Sequence, residues 1–182
     1  MRKTRSRRRA RHLAGALLAA LVMSAAAAPA GASWESPKST GDYVWRAVRG
    51  EEFLKDAFSA APEGTAPVRI CRVHNYRDVL IGYLDNWLCQ VGGDGMSRPY
   101  SIFLTLITAP DGAHWQKPEG EEVPAGALEL NEGYGPPTYA CRVTYEGKTV
   151  VGMVRESICS AGYVDGELRS DDYEVLVGGG SK

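Results

Sequence analysis

Apolar and polar side chains alternate most clearly in the second half of this chain. Between positions 138 and 145, every second residue is apolar or aromatic: Tyr139, Cys141, Val143 and Tyr145. A period of two is typical of a strand with one buried face. Apolar, β-branched runs at residues 79–84 and 149–154 predict two further strands, and residues 100–107 and 173–177 predict closing strands.

Turn residues separate these runs and helix signals are sparse. Residues 75–78 and 146–148 have turn composition. Residues 51–61 have the composition of a short helix, but the equivalent stretch further along contains Pro124 and Gly126. Both stretches are therefore interpreted as loop or edge segments, and the predicted fold class is all-β.

The predicted strands belong to a unit that occurs twice in the sequence. A shift of 70 positions aligns the two copies without a gap. The matched pairs include Trp45/Trp115, Ala57/Ala127, Pro67/Pro137, Cys71/Cys141, Gly82/Gly152, Cys89/Cys159, Gly92/Gly162 and Leu106/Leu176. Chance does not readily align so many Trp, Cys and Gly residues, so the pattern indicates a tandem duplication.

The duplication predicts the organisation of the domain. The first repeat spans residues 33–110, the second spans 111–177, and the Gly-rich residues 178–182 form a flexible tail. Each repeat is too small to bury its own apolar face. We therefore expect the two tandem repeats to pack as a pseudo-twofold β-sandwich-like domain. Two independent copies are the alternative.

The four cysteines predict two disulfides in an oxidising compartment. Pairing within each copy, Cys71 with Cys89 and Cys141 with Cys159, closes short loops and stabilises by roughly 3 kcal/mol each. A plain meander would hold those strands about 9.5 Å apart. Pairing within a copy therefore requires the 87–91 strand to leave the meander order. We favour this pairing, and the other two pairings stay open.

The first 32 residues predict a secretory signal peptide. Seven basic residues within positions 1–12 precede an Ala- and Leu-rich run, and small residues end at Ala32. A membrane anchor is the alternative, but Pro29 and Gly31 interrupt the run. The chain has 21 Lys and Arg against 22 Asp and Glu; without those seven basic residues, 14 remain against 22, a net charge of about −8. An acidic secreted protein is not expected to bind nucleic acid, nor a membrane after signal removal.

The duplicated core resembles the DM-nine repeat family over about residues 45–177. The resemblance depends on a Cys-Arg-Val strand, an apolar strand with one Gly, a Gly-containing turn and a closing Tyr-Glu-Val-Leu. In the second copy these are residues 141–143, 151–153, 161–163 and 173–176. Residues 122–127 are similar to the Val-Pro-x-x-Ala segment with which the family's repeat begins. The first copy matches more loosely at 71–73, 81–83, 91–93 and 103–106.

The resemblance implies an all-β fold and, for members that are lectins, binding of mannose-type sugars. In such members an acidic loop residue and a lysine hold sugar hydroxyls. The acidic position falls near Glu63 in the first copy and near Glu132 in the second. The lysine position is Tyr83 in one copy and Met153 in the other, so this chain departs from the family pattern there.

Three further residues are candidates for ligand binding. Arg72 and Arg142 each follow a cysteine on a strand. Each could donate to a sugar hydroxyl or form a structural ion pair with an acidic residue on a neighbouring strand. Tyr83 is a candidate stacking residue, although a half-buried structural role is the common case. Trp87 has no counterpart, because Ser157 occupies its position, so the first copy is the better candidate for a ligand site.

Catalytic and metal-binding patterns are weak in this sequence. His74 lies near Asp78, but no motif of an activated nucleophile accompanies them. There is no Cys-x-x-Cys spacing, so no metal or cofactor is predicted. We expect the protein to be a secreted, lectin-like module that binds a glycan or a surface ligand and is not an enzyme. The sequence is compatible with an oligomer. A structural or protein-interaction domain is the second hypothesis and a hydrolase the third.

Overall fold

The computed structural model describes residues 43–76, 78–120 and 123–178 of the chain. The predicted signal peptide and the last four residues of the predicted tail lie outside these residues. The described part is all-β, as predicted. The strands of the first copy are β1 (Val44–Arg46), β2 (Ile70–Asn75), β3 (Asp78–Asp85), β4 (Leu88–Gly93), β5 (Met96–Tyr100) and β6 (Leu104–Thr108).

The second copy repeats this set of strands in the same order. Its strands are β7 (His114–Gln116), β8 (Ala140–Tyr145), β9 (Lys148–Arg155), β10 (Ile158–Tyr163), β11 (Gly166–Ser170) and β12 (Glu174–Val177). Each copy forms one antiparallel sheet, ordered β1-β6-β2-β3-β4-β5 in the first and β7-β12-β8-β9-β10-β11 in the second. The two sheets pack together as a β-sandwich-like domain, in agreement with the predicted fold class.

One element prediction was wrong, and a second was right except for one turn. The predicted strand at residues 100–107 is two strands, because the chain bends at residues 101–103 between β5 and β6. Residues 51–61 begin with a one-turn 3-10 helix, Glu51–Phe53, and continue as the predicted loop, with one bridge from Ser59 to Arg69. Two acidic residues occupy that turn, where negative charge is favoured by the backbone N–H groups.

A glycine explains how the disulfides form across three strands. Cys71 bonds to Cys89 and Cys141 to Cys159, each with a Cα–Cα distance of 5.8 Å. The expectation that β4 must leave the meander order is wrong, since β4 remains next to β3. A Cβ on Gly82 would lie only 1.9 Å from the carbonyl oxygen of Gln90. The β4 backbone therefore crosses over the glycine of β3 and brings Cys89 to Cys71.

The two sheets are related by a pseudo-twofold axis. β4 packs on β10 and β3 on β9. A Cβ on Gly92 would lie 2.4 Å from the carbonyl carbon of Ala161, and one on Gly162 would lie 2.9 Å from that of Val91. Because Ala161 is the counterpart of Val91, the two contacts are the same contact made in both directions. These glycines allow the sheets to approach backbone to backbone.

The larger hydrophobic core contains residues of both copies, which ties the repeats into one body. From the first copy it includes Trp45 and Ile81, and from the second Leu130, Val151 and Leu176. A smaller core around Cys141 and Cys159 lies within the second copy, and Tyr83 of the first copy packs against both. One repeat alone could not bury this apolar surface, because a unit of that size buries too small a share of its side chains.

Candidate functional site

Arg72 and Arg142 hold the two copies together. The Arg72 guanidinium donates to the carbonyl oxygen of Leu130 at 3.3 Å, and that of Arg142 donates to the carbonyl oxygen of Ala60 at 2.7 Å. Leu130 is the counterpart of Ala60, so each arginine reaches the matching loop of the other copy. Each also lies over a tryptophan of its own copy, Arg72 4.6 Å from the Trp45 ring centroid and Arg142 4.8 Å from that of Trp115.

The carboxylate partners of these arginines differ between the copies. Arg72 is 1% exposed and pairs with Glu132 of the second copy at 2.8 Å. Arg142 pairs at 2.7 Å with Glu174, which lies opposite it on the neighbouring strand. Both arginines therefore occupy structural ion pairs, the second of the two roles considered for them. Their role as ligand donors is an untested prediction.

The loop that contains Glu132 is held by its own backbone contacts. Asn131 is buried, and its side-chain amide donates to the carbonyl oxygens of Tyr134, Gly135 and Pro136. The ring of His74 meets the ring of Tyr134 edge-on at 5.3 Å. Partial burial, more than the charge of the nearby Arg72, lowers the pKa of His74.

The structure separates the remaining candidates. Glu63 lies exposed in the turn that follows Ala60, and thus on the side of Arg142. Tyr83 is half-buried against both hydrophobic cores, which is a structural role. Burial, with smaller contributions from Asp85 and Tyr163, raises the pKa of its hydroxyl. Glu132 is brought to Arg72, as described above.

A different region of the first copy forms an open groove of about 560 Å³. It lies between the 3-10 helix with the segment that follows it, the residues just before β2, and the turn from β3 to β4. We call it the Trp87 groove, and define it by its lining residues Glu51, Leu54, Lys55, Pro67, Arg69, Leu84, Asn86 and Trp87. Its volume is within the range of small-molecule sites.

Trp87 is held at the edge of this groove by an unusual backbone conformation. Asn86 and Trp87 are the two central residues of the β3–β4 hairpin, and both have positive φ, 46° and 65°. This is a type I′ turn, in which the second central position favours Gly. A bulky residue with positive φ is rare and costs about 1–2 kcal/mol. Trp87 nevertheless remains 45% exposed, so the strain is not offset by burial of the indole.

Arg69 forms one wall of the groove and supports another. Its guanidinium donates to the carbonyl oxygens of Ala57 and, at 3.4 Å, Lys55, and so holds the segment that contains Lys55. Burial lowers the pKa of Arg69, and Asp56 opposes that change. A partly desolvated cation therefore faces the groove.

The second copy serves as an internal comparison for this groove. Its framework positions are similar, since Pro67 corresponds to Pro137 and Leu84 to Val154. Its functional positions differ: Ala125, Tyr139, Glu156 and Ser157 replace Lys55, Arg69, Asn86 and Trp87. The cations, the amide and the indole are thus found only in the first copy, whereas the fold is common to both.

A comparison with protein-family models gives one match. The model of the DM9 repeat matches residues 63–161, more than half of the chain. The chain belongs to the DM9 repeat family. The match confirms the family resemblance and covers both Cys-Arg-Val segments, and it indicates no enzyme family. No curated protein matches this DM9 protein.

Sequence reasoning identified only one residue of the Trp87 groove in this DM9 protein. Trp87 was singled out because the second copy has no matching tryptophan. Lys55, Arg69 and Asn86 were missed, although the same comparison of equivalent positions would have found them. These three residues differ from the framework of the groove, because Pro67 and Leu84 have similar counterparts in the second copy and the three do not.

Neither a membrane-spanning helix nor a metal-binding group of side chains is found among the described residues. No helix within them has the length and apolar character needed to cross a membrane. They also contain no group of three or more His, Cys, Asp or Glu side chains placed to bind a metal ion.

Proposed function

We propose that this DM9 protein is an extracellular, non-enzymatic binding module that takes carbohydrate in the Trp87 groove. The observation that supports it is a half-exposed tryptophan on a rigid turn, at the edge of a groove that also presents a carboxylate, an amide and two cations. Sugars combine apolar ring faces with hydroxyl groups. They are therefore bound by a flat aromatic surface together with a few polar groups.

Two more observations favour a ligand over a structural role for this groove. The positive φ at this position belongs to the hairpin, since Ser157 shares it, and a bulky tryptophan adopts it at a greater cost than a serine does. The second copy keeps the same hairpin with Glu156 and Ser157 at its centre, so the fold itself does not require a tryptophan. Both disulfides also agree with export, since they form in oxidising compartments.

The test is a printed array of neutral and acidic oligosaccharides, probed with the secreted protein. We expect binding that Trp87→Ser, the residue of the second copy, weakens at least tenfold, about 1.4 kcal/mol. The matched control is Tyr134→Ala. Tyr134 is another exposed aromatic residue, but it lies on the loop of Glu132 and outside the groove.

The variants also separate the two candidate regions. Binding lost in Trp87→Ser and kept in Tyr134→Ala supports the groove. Binding lost only in Tyr134→Ala would place the ligand at the loop of Glu132 and refute the groove. No binding on any glycan would refute the carbohydrate function and favour a protein-interaction domain.

A further inference from the structure

We propose that the ligand of the Trp87 groove is an acidic sugar, a uronic or sialic acid, whose carboxylate is bound by Lys55 and Arg69. This inference rests on the proposed function, because it names the class of carbohydrate for the same groove. It concerns a property that the aromatic residue alone does not determine, which is the charge of the ligand.

The first argument is the environment of Arg69. The hydrogen bonds of its guanidinium run to main-chain carbonyl oxygens, and within the described residues it has no carboxylate at ion-pair distance. In contrast, Arg72, Arg98 and Arg142 each pair with a carboxylate within 2.8 Å. A partly buried guanidinium with unused donors matches the two oxygens of a ligand carboxylate.

The second argument is the charge of the groove. Lys55 and Arg69 outnumber Glu51 among its lining residues, and the charge of Asp56, which acts on Arg69, offsets part of this excess. The chain without its first 12 residues has 14 basic and 22 acidic residues, so a groove lined by more cations than carboxylates differs from the composition of the chain as a whole. Basic side chains that converge on one groove attract anions and raise their local concentration.

The third argument is the loss of both cations from the second copy. Ala125 and Tyr139 stand at the positions of Lys55 and Arg69, and Glu156 at the position of Asn86. The lysine, the arginine and the tryptophan are therefore absent together from one copy and present together in the other. This is the pattern expected if the three residues serve one ligand, with the carboxylate on the cations and the sugar ring against the indole.

Glu51 is compatible with this arrangement. A sugar acid has one carboxylate and several hydroxyl groups, and a carboxylate of the protein accepts hydrogen bonds from hydroxyls. We assign this role to Glu51, at the opposite end of the lining segment from Lys55. The groove thus matches both the charged and the uncharged parts of an acidic sugar.

The experiment compares ligands that differ only in charge. The tryptophan fluorescence of the full secreted protein is titrated with glucuronic acid, its methyl ester and glucose, and separately with N-acetylneuraminic acid and its methyl ester. We expect an acid to bind at least fivefold tighter than its ester at low salt, with the difference reduced at high salt. Lys55→Ala, the residue of the second copy, should weaken binding of the acid about threefold, as expected for an exposed charge. The control Lys148→Ala, an exposed lysine on β9, should leave it unchanged.

The outcomes separate this inference from the proposed function. Preference for the acids that depends on Lys55 supports both. Equal affinity for acids and esters, or tighter binding of neutral sugars, overturns the inference and leaves the carbohydrate function intact. Binding of the acids that Lys148→Ala weakens as much as Lys55→Ala also overturns it, because attraction would then come from the whole protein.

Discussion

Gly82 offers the sharpest test of how the sheets are built. A Cβ at this position would lie 1.9 Å from the carbonyl oxygen and 2.8 Å from the carbonyl carbon of Gln90. Both are backbone atoms, so no side-chain rotation relieves the clash. Contact distances of about 3.3 Å require the β4 backbone to move by more than about 1 Å. That movement would take place next to the Cys71–Cys89 bond, which holds the same strand.

We expect Gly82→Ala to lower the free energy of unfolding by about 3 kcal/mol or more, at the upper end of overpacking effects. Urea unfolding of the oxidised protein, followed by far-UV circular dichroism, measures this value. Gly152→Ala should have a similar effect, because its Cβ would lie 2.0 Å from the carbonyl oxygen of Ser160. The equality of the two effects follows from the pseudo-twofold axis.

The control is Gly166→Ala on β11. A Cβ at Gly166 has nothing within 4 Å, and this glycine does not have positive φ. We expect a change within about 0.5 kcal/mol. If Gly82→Ala and Gly166→Ala unfold at the same urea concentration, the backbone of β4 does not cross Gly82, and the explanation of the disulfide geometry is wrong.

The remaining predictions concern charge, turns and pH, each measured by urea unfolding. Glu132→Gln should destabilise by about 3 kcal/mol, because it removes a carboxylate from the buried Arg72, whereas Glu174→Gln, whose side chain is 32% exposed, should cost less than about 1 kcal/mol. Equal losses would contradict this. Val164→Asn should stabilise by about 1 kcal/mol by relieving a positive φ of 50° in a β-branched residue, and an unchanged midpoint would disprove that strain. Since the pKa of Tyr83 is raised by burial, folding favours its neutral hydroxyl. The stabilisation is complete below about pH 10 and is lost as the pH rises past it, so Tyr83→Phe should flatten part of this loss.

Local patterns predicted much of the fold because they record local physics. The alternation at 139–145 depends only on which face of a strand is buried, so β8 was predicted almost to its ends. The bend at residues 101–103 was missed because Tyr100, Phe103 and Leu104 are apolar on both sides of it. An apolar run shows that residues are buried, but it does not show where a strand ends.

The candidate site was harder to predict, for a different reason. Arg72 and Glu132 are sixty positions apart, and their contact exists only because the second copy's loop crosses to the first sheet. The family resemblance places the acidic loop residue Glu63 in the same copy as Arg72, which predicted that the two side chains share a site. The pseudo-twofold axis instead exchanges the loops, so that each arginine reaches the loop of the other copy.

By itself, the sequence determined the duplication, the all-β class and the asymmetry between the copies at Trp87. The duplication and the asymmetry are visible when one copy is compared with the other. The tertiary structure decided which cysteines bond, which loop meets which arginine, and which side chains share a groove with Trp87. The physical reason is the range of the interactions. Alternation and turn chemistry act within a few residues, whereas backbone crossings at glycines and contacts across the dyad depend on how two finished sheets pack.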